Sequence, residues 1–142
     1  MLTQISEFAA NHLFLVLAFA VLLGLVFFNE LKIATQRFTS LNPAAAVQLM
    51  NKEDVVVLDV REPSETAAGK ISGAVQIPAG AVAKRISELE KHKDKTLLVY
   101  CKTGARVGTA CKDLSKNGFE KVYTLNGGLV AWQEAHLPIS KK

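Results

Sequence analysis

The residues best able to do chemistry in this 142-residue chain stand together as Cys101-Lys102-Thr103-Gly104-Ala105-Arg106. A thiol followed by a glycine-containing loop and an arginine is a pattern for holding an anion beside a nucleophile. The apolar run Thr96-Leu97-Leu98-Val99-Tyr100 before it reads as a buried strand, and a helical pattern starts near Val107. Cys101 therefore falls at a strand end just before a helix, where loop amides and the positive end of the helix dipole favour negative charge on sulfur. Such settings lower a thiol pKa from about 8.5 into the range of about 3.5–7.5, so a thiolate is expected here.

Arg106 closes the loop and supplies a fixed cation to clamp an anion, and Gly104 supplies the positive-φ freedom that a ring of inward amides needs. Lys102, Thr103, Gly104, Ala105 and Arg106 are the expected substrate-binding residues, with Lys102 at the mouth attracting anions. In Lys102 and Thr103 the amides are expected to matter more than the side chains. Two readings of the Thr103 hydroxyl stand: a hydrogen bond to the sulfur, or one that only braces the loop. Cys111 is the opposite case from Cys101, because it shares a helical face with Val107, Ala110 and Leu114 and reads as core. A resolving thiol is its alternative role. No histidine is close in sequence to the loop, since the three lie at positions 12, 92 and 136. No Cys/His spacing resembles a zinc site, and neither a metal nor a cofactor is expected.

The elements that must position this loop follow from the flanking pattern. Asn42-Pro43 reads as an N-cap with proline at the first helical position. Val55 to Val60 reads as a strand buried on both faces, Pro63 to Ala68 as a short helix closed by Gly69, and Ala74 to Ile77 as a strand ended by Pro78. Val82, Ile86 and Leu89 are spaced as the inner face of an amphipathic helix. After the loop come a helix with Gly118 just past its end, a strand over Lys121 to Leu125, the turn Asn126-Gly127-Gly128, and a last helix carrying Trp132. Strands alternating with helices imply an α/β fold, a parallel β-sheet flanked by helices on both faces. Asp59 and Arg61 end a strand near the loop. Their expected role is supporting, fastening adjacent loops by ion pairs or hydrogen bonds, with direct contact to substrate as the alternative.

The composition of 49% apolar and 21% charged residues is rich in apolar side chains for a small domain, and the excess lies at the N-terminus. The net charge of +4 comes from residues 41–142, which carry 15 Lys and Arg against 11 Asp and Glu. That mild, scattered bias suits small anions and excludes a nucleic-acid-binding stripe. Two cysteines make no disulfide framework, and a reactive thiol points to a reducing compartment.

Leu13 to Phe28 is a run of 16 residues with no charge and no hydrogen-bonding side chain; begun at Phe8 it has 21. At 1.5 Å per residue the longer version spans about 31 Å, enough for a bilayer core. The expectation is a retained membrane anchor over 1–30 with residues 8–28 in the bilayer, a polar helical connector over 31–40, and a domain over 41–142. A cleaved signal peptide is the alternative. It is disfavoured because no Lys or Arg precedes the run and no small-x-small site ends it. Lys32 and Arg37 follow the span and Glu7 precedes it, so the N-terminus is expected outside and the domain in the cytoplasm. Ala20 and Gly24 form a small-x-x-x-small pair that could seat a membrane-protein partner.

The soluble part resembles a single-domain rhodanese, a thiosulfate sulfurtransferase, over about residues 40–140. The resemblance rests on Leu58-Asp59-Val60-Arg61-Glu62, on Gly69 to Pro78, on the Cys-x-x-Gly-x-Arg loop, and on Leu125-Asn126-Gly127-Gly128 with Ala131-Trp132. It implies a rhodanese-like sheet, with Cys101 accepting sulfane sulfur as a persulfide from a small anion such as thiosulfate. The acceptor it implies is cyanide, another thiol, or a protein sulfur acceptor. Sulfur transfer needs little proton transfer, because sulfite is already a good leaving group. Cys-based phosphatases of related shape have Cys-x5-Arg, one residue longer than the Cys-x4-Arg here, and the smaller ring favours sulfur anions. Lys70 and Ser72 depart from the His and Pro that the family often carries, which touches the partner surface and not the loop. The expected whole is a single-pass protein of a bacterial inner membrane with a sulfurtransferase domain. Its rival is a membrane-tethered interaction module in which catalysis is incidental.

Overall fold

The computed structural model describes residues 1–34 and 38–141. The chain divides into two compact units, residues 1–36 and 37–142.

The first unit holds helix α1 (Leu2–Asn11) and helix α2 (Leu13–Ala34). They are bent by 97° at His12, whose backbone (φ −127°, ψ 43°) leaves the helical region. Asn11 and His12 are a polar pair of low helix propensity, and the chain breaks there. The expected unbroken span from Phe8 is thereby corrected. Among the described residues no single helix is long and apolar enough to cross a membrane, whereas Leu2–Asn11 and Leu13–Phe28 meet that measure only together. Large apolar side chains stand out from α2, among them Phe14 at 82% and Phe28 at 69% exposure. Arg37, one of the two cations on which the expected orientation rests, lies outside the described residues.

The second unit is a five-stranded sheet in the order β1 (Phe38–Leu41), β5 (Val122–Leu125), β4 (Thr96–Tyr100), β2 (Val55–Asp59), β3 (Val75–Gln76), and every pairing is parallel. Strand β4 is central and buried along its whole length, as its uninterrupted apolar run requires. Strand β1 corrects the expected helical connector: Phe38 to Leu41 pairs in register with Val122 to Leu125. Its Phe and Leu are half-buried and the Thr and Ser between them exposed, so it reads as a polar linker until its partner is known.

Residues alternate between the two faces of β4. On one face Leu97, Val99 and Cys101 pack with Val107, Ala110, Cys111 and Leu114 of helix α5 (Val107–Lys116). On the other, Leu98 and Tyr100 pack with Ala46 of helix α3 (Pro43–Lys52) and with Leu129 and Trp132 of helix α6 (Gly128–Glu134). Helix α3 starts as its sequence demands, with the Asn42 side chain accepting the Ala45 amide at 2.8 Å and proline next. The expected helix through Val82, Ile86 and Leu89 is a third correction: these residues turn inward, but over 3-10 turns at Ala79–Ala81, Ile86–Glu88 and Glu90–His92. The apolar spacing decided which side chains face the sheet. The backbone bonds close tighter turns there, the amides of Ala81, Leu89 and His92 donating to the carbonyls of Pro78, Ile86 and Leu89.

Candidate functional site

Parallel strands carry their loops at one edge, and the register places Asp59 beside Tyr100 at the carboxyl ends of β2 and β4. Cys101 follows directly. Its side chain is buried, while Lys102, Thr103 and Ala105 above it are exposed. The Gly104 amide donates to Cys101 Sγ at 3.0 Å, which requires the loop to fold back on itself through Gly104 at φ +96°. That contact places a backbone dipole against the sulfur, the arrangement that stabilises anionic sulfur. Helix α5 begins at Val107, immediately after the loop.

The loop is fastened from outside by helix α6. The Leu129 amide donates to the Cys101 carbonyl at 2.9 Å and the Val130 amide to the Lys102 carbonyl at 3.1 Å. This approach is possible because residue 128 is glycine: a Cβ there would overlap the Cys101 carbonyl oxygen and lie 2.6 Å from that of Lys102. The Gly127-Gly128 turn, at φ +76° and +60°, is thus a contact surface for the loop as well as a turn.

Arg106 sits at the loop's end in a two-pronged ion pair with Glu65, Nη1 to Oε2 at 2.7 Å and Nη2 to Oε1 at 2.8 Å. The Arg106 hydrogen bonds hold the Glu65 carboxyl down to about 2, helped by the Glu62 amide, which donates to Glu65 Oε2 at 3.0 Å. In turn Glu65 raises the Arg106 guanidinium above its ordinary value. The cation expected to clamp an anion is therefore committed in this state to a carboxylate from the short helix α4 (Pro63–Thr66). Glu65 was not singled out in the sequence. The signal that could have found it is the Glu62-Pro63-Ser64-Glu65 capping box that opens α4.

Asp59 and Arg61 lie together, both buried, with Arg61 Nη2 at 2.6 Å from Asp59 Oδ2 and Nε at 3.0 Å from Oδ1. Arg61 Nη2 also donates to the Gly69 carbonyl at 2.7 Å, and the Arg61 carbonyl accepts from Gln76 Nε2 at 2.6 Å. Burial is the largest single influence and works against the Arg61 charge, but the hydrogen bond and charge of Asp59, with Tyr100, together outweigh it and raise the pKa. The Tyr100 hydroxyl donates to Asp59 Oδ2 at 2.7 Å and accepts from the Ile71 amide at 3.0 Å. Tyr100 precedes the cysteine, so this network pins the strand end from which Cys101 departs. Burial, then Asp59, pushes the phenol well above its usual range. Sequence reasoning treated Tyr100 only as strand.

Cys111 lies fully buried on the inner face of α5, and burial pushes its thiol up to about 12. Both cysteines are free. Among the described residues no three of His, Cys, Asp or Glu gather into a metal site. Next to Lys102 is a cleft of about 270 Å³ whose lining includes Arg61, Glu65, Leu129, Val130, Gln133 and Ile139.

The profile of the rhodanese-like domain matches residues 42–135. The uncharacterized protein YibN of Escherichia coli K12 is 33% identical over 137 residues, 96% of each chain. The thiosulfate sulfurtransferase GlpE of Pseudoalteromonas translucida is 33% identical over 99 residues, covering 70% of this chain and 92% of that protein. Among solved structures, a rhodanese-related protein of Thermoplasma volcanium superposes with a TM-score of 0.66 at 31% identity, over 73% of this chain and 99% of its own.

Proposed function

This chain belongs to the rhodanese family, and from that premise we propose that it is a membrane-tethered sulfurtransferase carrying sulfur on Cys101. The Cys101 thiolate attacks the outer sulfur of thiosulfate. A bond forms between the two sulfurs, the sulfur–sulfur bond of thiosulfate breaks, and its electron pair leaves on sulfite. The product is a Cys101 persulfide, from which cyanide or a thiol removes the outer sulfur. The observation that carries this reading is the Gly104 amide on Cys101 Sγ, at 3.0 Å within a six-residue loop at a strand end. A fixed dipole at that sulfur serves both the attacking thiolate and its return as leaving group. No general acid is needed, since sulfite departs as an anion. The likeness to a relative named thiosulfate sulfurtransferase supports thiosulfate as donor.

The test is intact mass of the full chain after incubation with thiosulfate, read for one added sulfur, together with thiocyanate formed from cyanide. Cys101→Ser must abolish both. A wild-type loop that stays unmodified, with no thiocyanate, leaves only the interaction module.

In this reading the tether is α2, and two observations support it: its exposed phenylalanines, and the match to YibN over 96% of the chain, which takes in most of the N-terminal unit. The 16 apolar residues from Leu13 rise about 24 Å, short of a core of about 30 Å, which a bilayer meets by local thinning. Helix α1, bent 97° away, then lies along the surface with Leu2, Ile5 and Phe8 toward lipid. The domain faces the cytoplasm of a bacterium, where its free thiols stay reduced. A reporter fused after Lys142 that reads outside the cytoplasm would overturn that placement.

A further inference from the structure

A loop that holds an anion gains from each cation it offers, and doubly charged thiosulfate gains about twice as much per cation as a singly charged donor. This loop withholds its arginine. Both Nη atoms of Arg106 are bonded to the two carboxylate oxygens of Glu65, at 2.7 and 2.8 Å. Cys101 and Glu62 also act on Arg106 by charge, so the guanidinium lies within electrostatic reach of the sulfur. Beneath the loop Arg61 is neutralised in the same way by Asp59. Lys102 alone differs: it is exposed and, among the described residues, has no ion-pair partner. Glu65 is itself held in place, since its Oε2 also accepts the Glu62 amide at 3.0 Å in the short helix opened by Pro63.

Resting on the sulfurtransferase reading above, we propose that Glu65 is a specificity-determining residue: by neutralising Arg106 it turns donor choice away from doubly charged thiosulfate and toward singly charged sulfur donors, organic thiosulfonates as a class. Lys102 is then the loop's uncompensated cation among the described residues, and one positive charge suits one negative charge. The loading step keeps its form. The Cys101 thiolate attacks the terminal sulfur of the thiosulfonate, and a bond forms between the two sulfurs. The donor's own sulfur–sulfur bond breaks, and its electron pair leaves on a sulfinate. The Cys101 persulfide results, with no net oxidation. Glu65 touches neither sulfur and acts through Arg106, so its removal changes which anion is favoured and not how sulfur is transferred.

The test uses the full chain in detergent micelles, with thiosulfate and the methanethiosulfonate anion as donors and cyanide as the common acceptor. Because sulfur passes through an enzyme persulfide, kcat/KM for each donor reports loading alone. Glu65→Gln unmasks Arg106, and a solvent-screened cation changes anion binding by about threefold per donor charge. Expected is a rise of about tenfold for thiosulfate and about threefold for methanethiosulfonate, so their ratio moves about threefold toward thiosulfate. Glu65→Gln combined with Arg106→Gln removes the pair whole and returns the ratio to that of wild type. Lys102→Gln, an exposed change that decides the matter even where Glu65→Gln does not fold, moves the ratio about threefold the other way. A Glu65→Gln protein that slows both donors equally makes Glu65 a brace and overturns the assignment. A Lys102→Gln protein with an unmoved ratio overturns it too, and either result leaves the sulfurtransferase reading intact. A wild-type chain that loads from neither donor strikes that reading instead, and this inference falls with it.

Discussion

Replacing Gly128 with alanine should damage the cysteine loop directly, because α6 lies against the loop backbone at this position. The added Cβ would overlap the Cys101 carbonyl oxygen and stand 2.6 and 2.7 Å from the Lys102 carbonyl oxygen and carbon, all backbone atoms that cannot rotate aside. Gly128 also sits at φ +60°, where a side chain costs roughly 1–2 kcal/mol. Relief requires α6 to withdraw from the loop, which stretches the bonds from Leu129 and Val130 to the Cys101 and Lys102 carbonyls. Two such bonds contribute about 0.5–1.5 kcal/mol each. The sum is about 2–5 kcal/mol of lost stability. Gly108→Ala is the internal control: a Cβ there meets nothing within 4 Å, in the first turn of α5. That change should be neutral or stabilising by up to about 1 kcal/mol. The assay is urea unfolding of the full chain followed by fluorescence of Trp132, the only tryptophan, which lies buried in α6 itself. A Gly128→Ala protein within about 0.5 kcal/mol of wild type would refute the claim that α6 is docked against the cysteine loop.

Tyr100→Phe removes the hydroxyl shared by Asp59 and the Ile71 amide, leaving a buried donor unpaired; unfolding should show a loss of about 1–3 kcal/mol. Because the Glu65 pKa is lowered from 4.5 to about 2, its ion pair with Arg106 contributes stability above pH 4.5 that is lost as pH falls toward 2. Thermal midpoints of wild type should therefore drop across that window relative to Glu65→Gln, and parallel curves would remove the pair from the account. Cys111, buried with its thiol pushed up to about 12, should resist iodoacetamide at pH 8 and react once urea unfolds the chain, as peptide mass mapping can read. Labelling of native Cys111 would show that α5 opens.

The parts of this protein that depend on near neighbours were legible in the chain. Cys101 at a strand end follows from a five-residue apolar run meeting a glycine loop. Cys111 in the core follows from its shared face with Val107 and Leu114, and the start of α3 follows from Asn42-Pro43. Parallel order itself was implied by strands alternating with helical segments. Other features followed the same rule in reverse. Val82, Ile86 and Leu89 announced which way they face, but spacing that is right for burial did not choose between α and 3-10 bonding. The two polar residues before Leu13 were read as part of a longer span, and instead they break it.

What the tertiary structure alone decided are the contacts made across the sheet's carboxyl edge. Glu65 meets Arg106, and Tyr100 meets Asp59, each across 41 positions of chain. Such pairs depend on which strands become neighbours, a choice made by packing of whole layers. The edge strand β1 has too few apolar residues to declare itself without β5 beside it. Gly128 reads as an ordinary turn residue until α6 is seen lying on the Cys101 carbonyl. By itself the sequence determined that a thiol would sit at the end of a buried strand, at the start of a glycine-containing loop. Only the folded chain decided what braces that loop, because its braces come from α4, α6 and β2, which parallel crossovers return to the same edge.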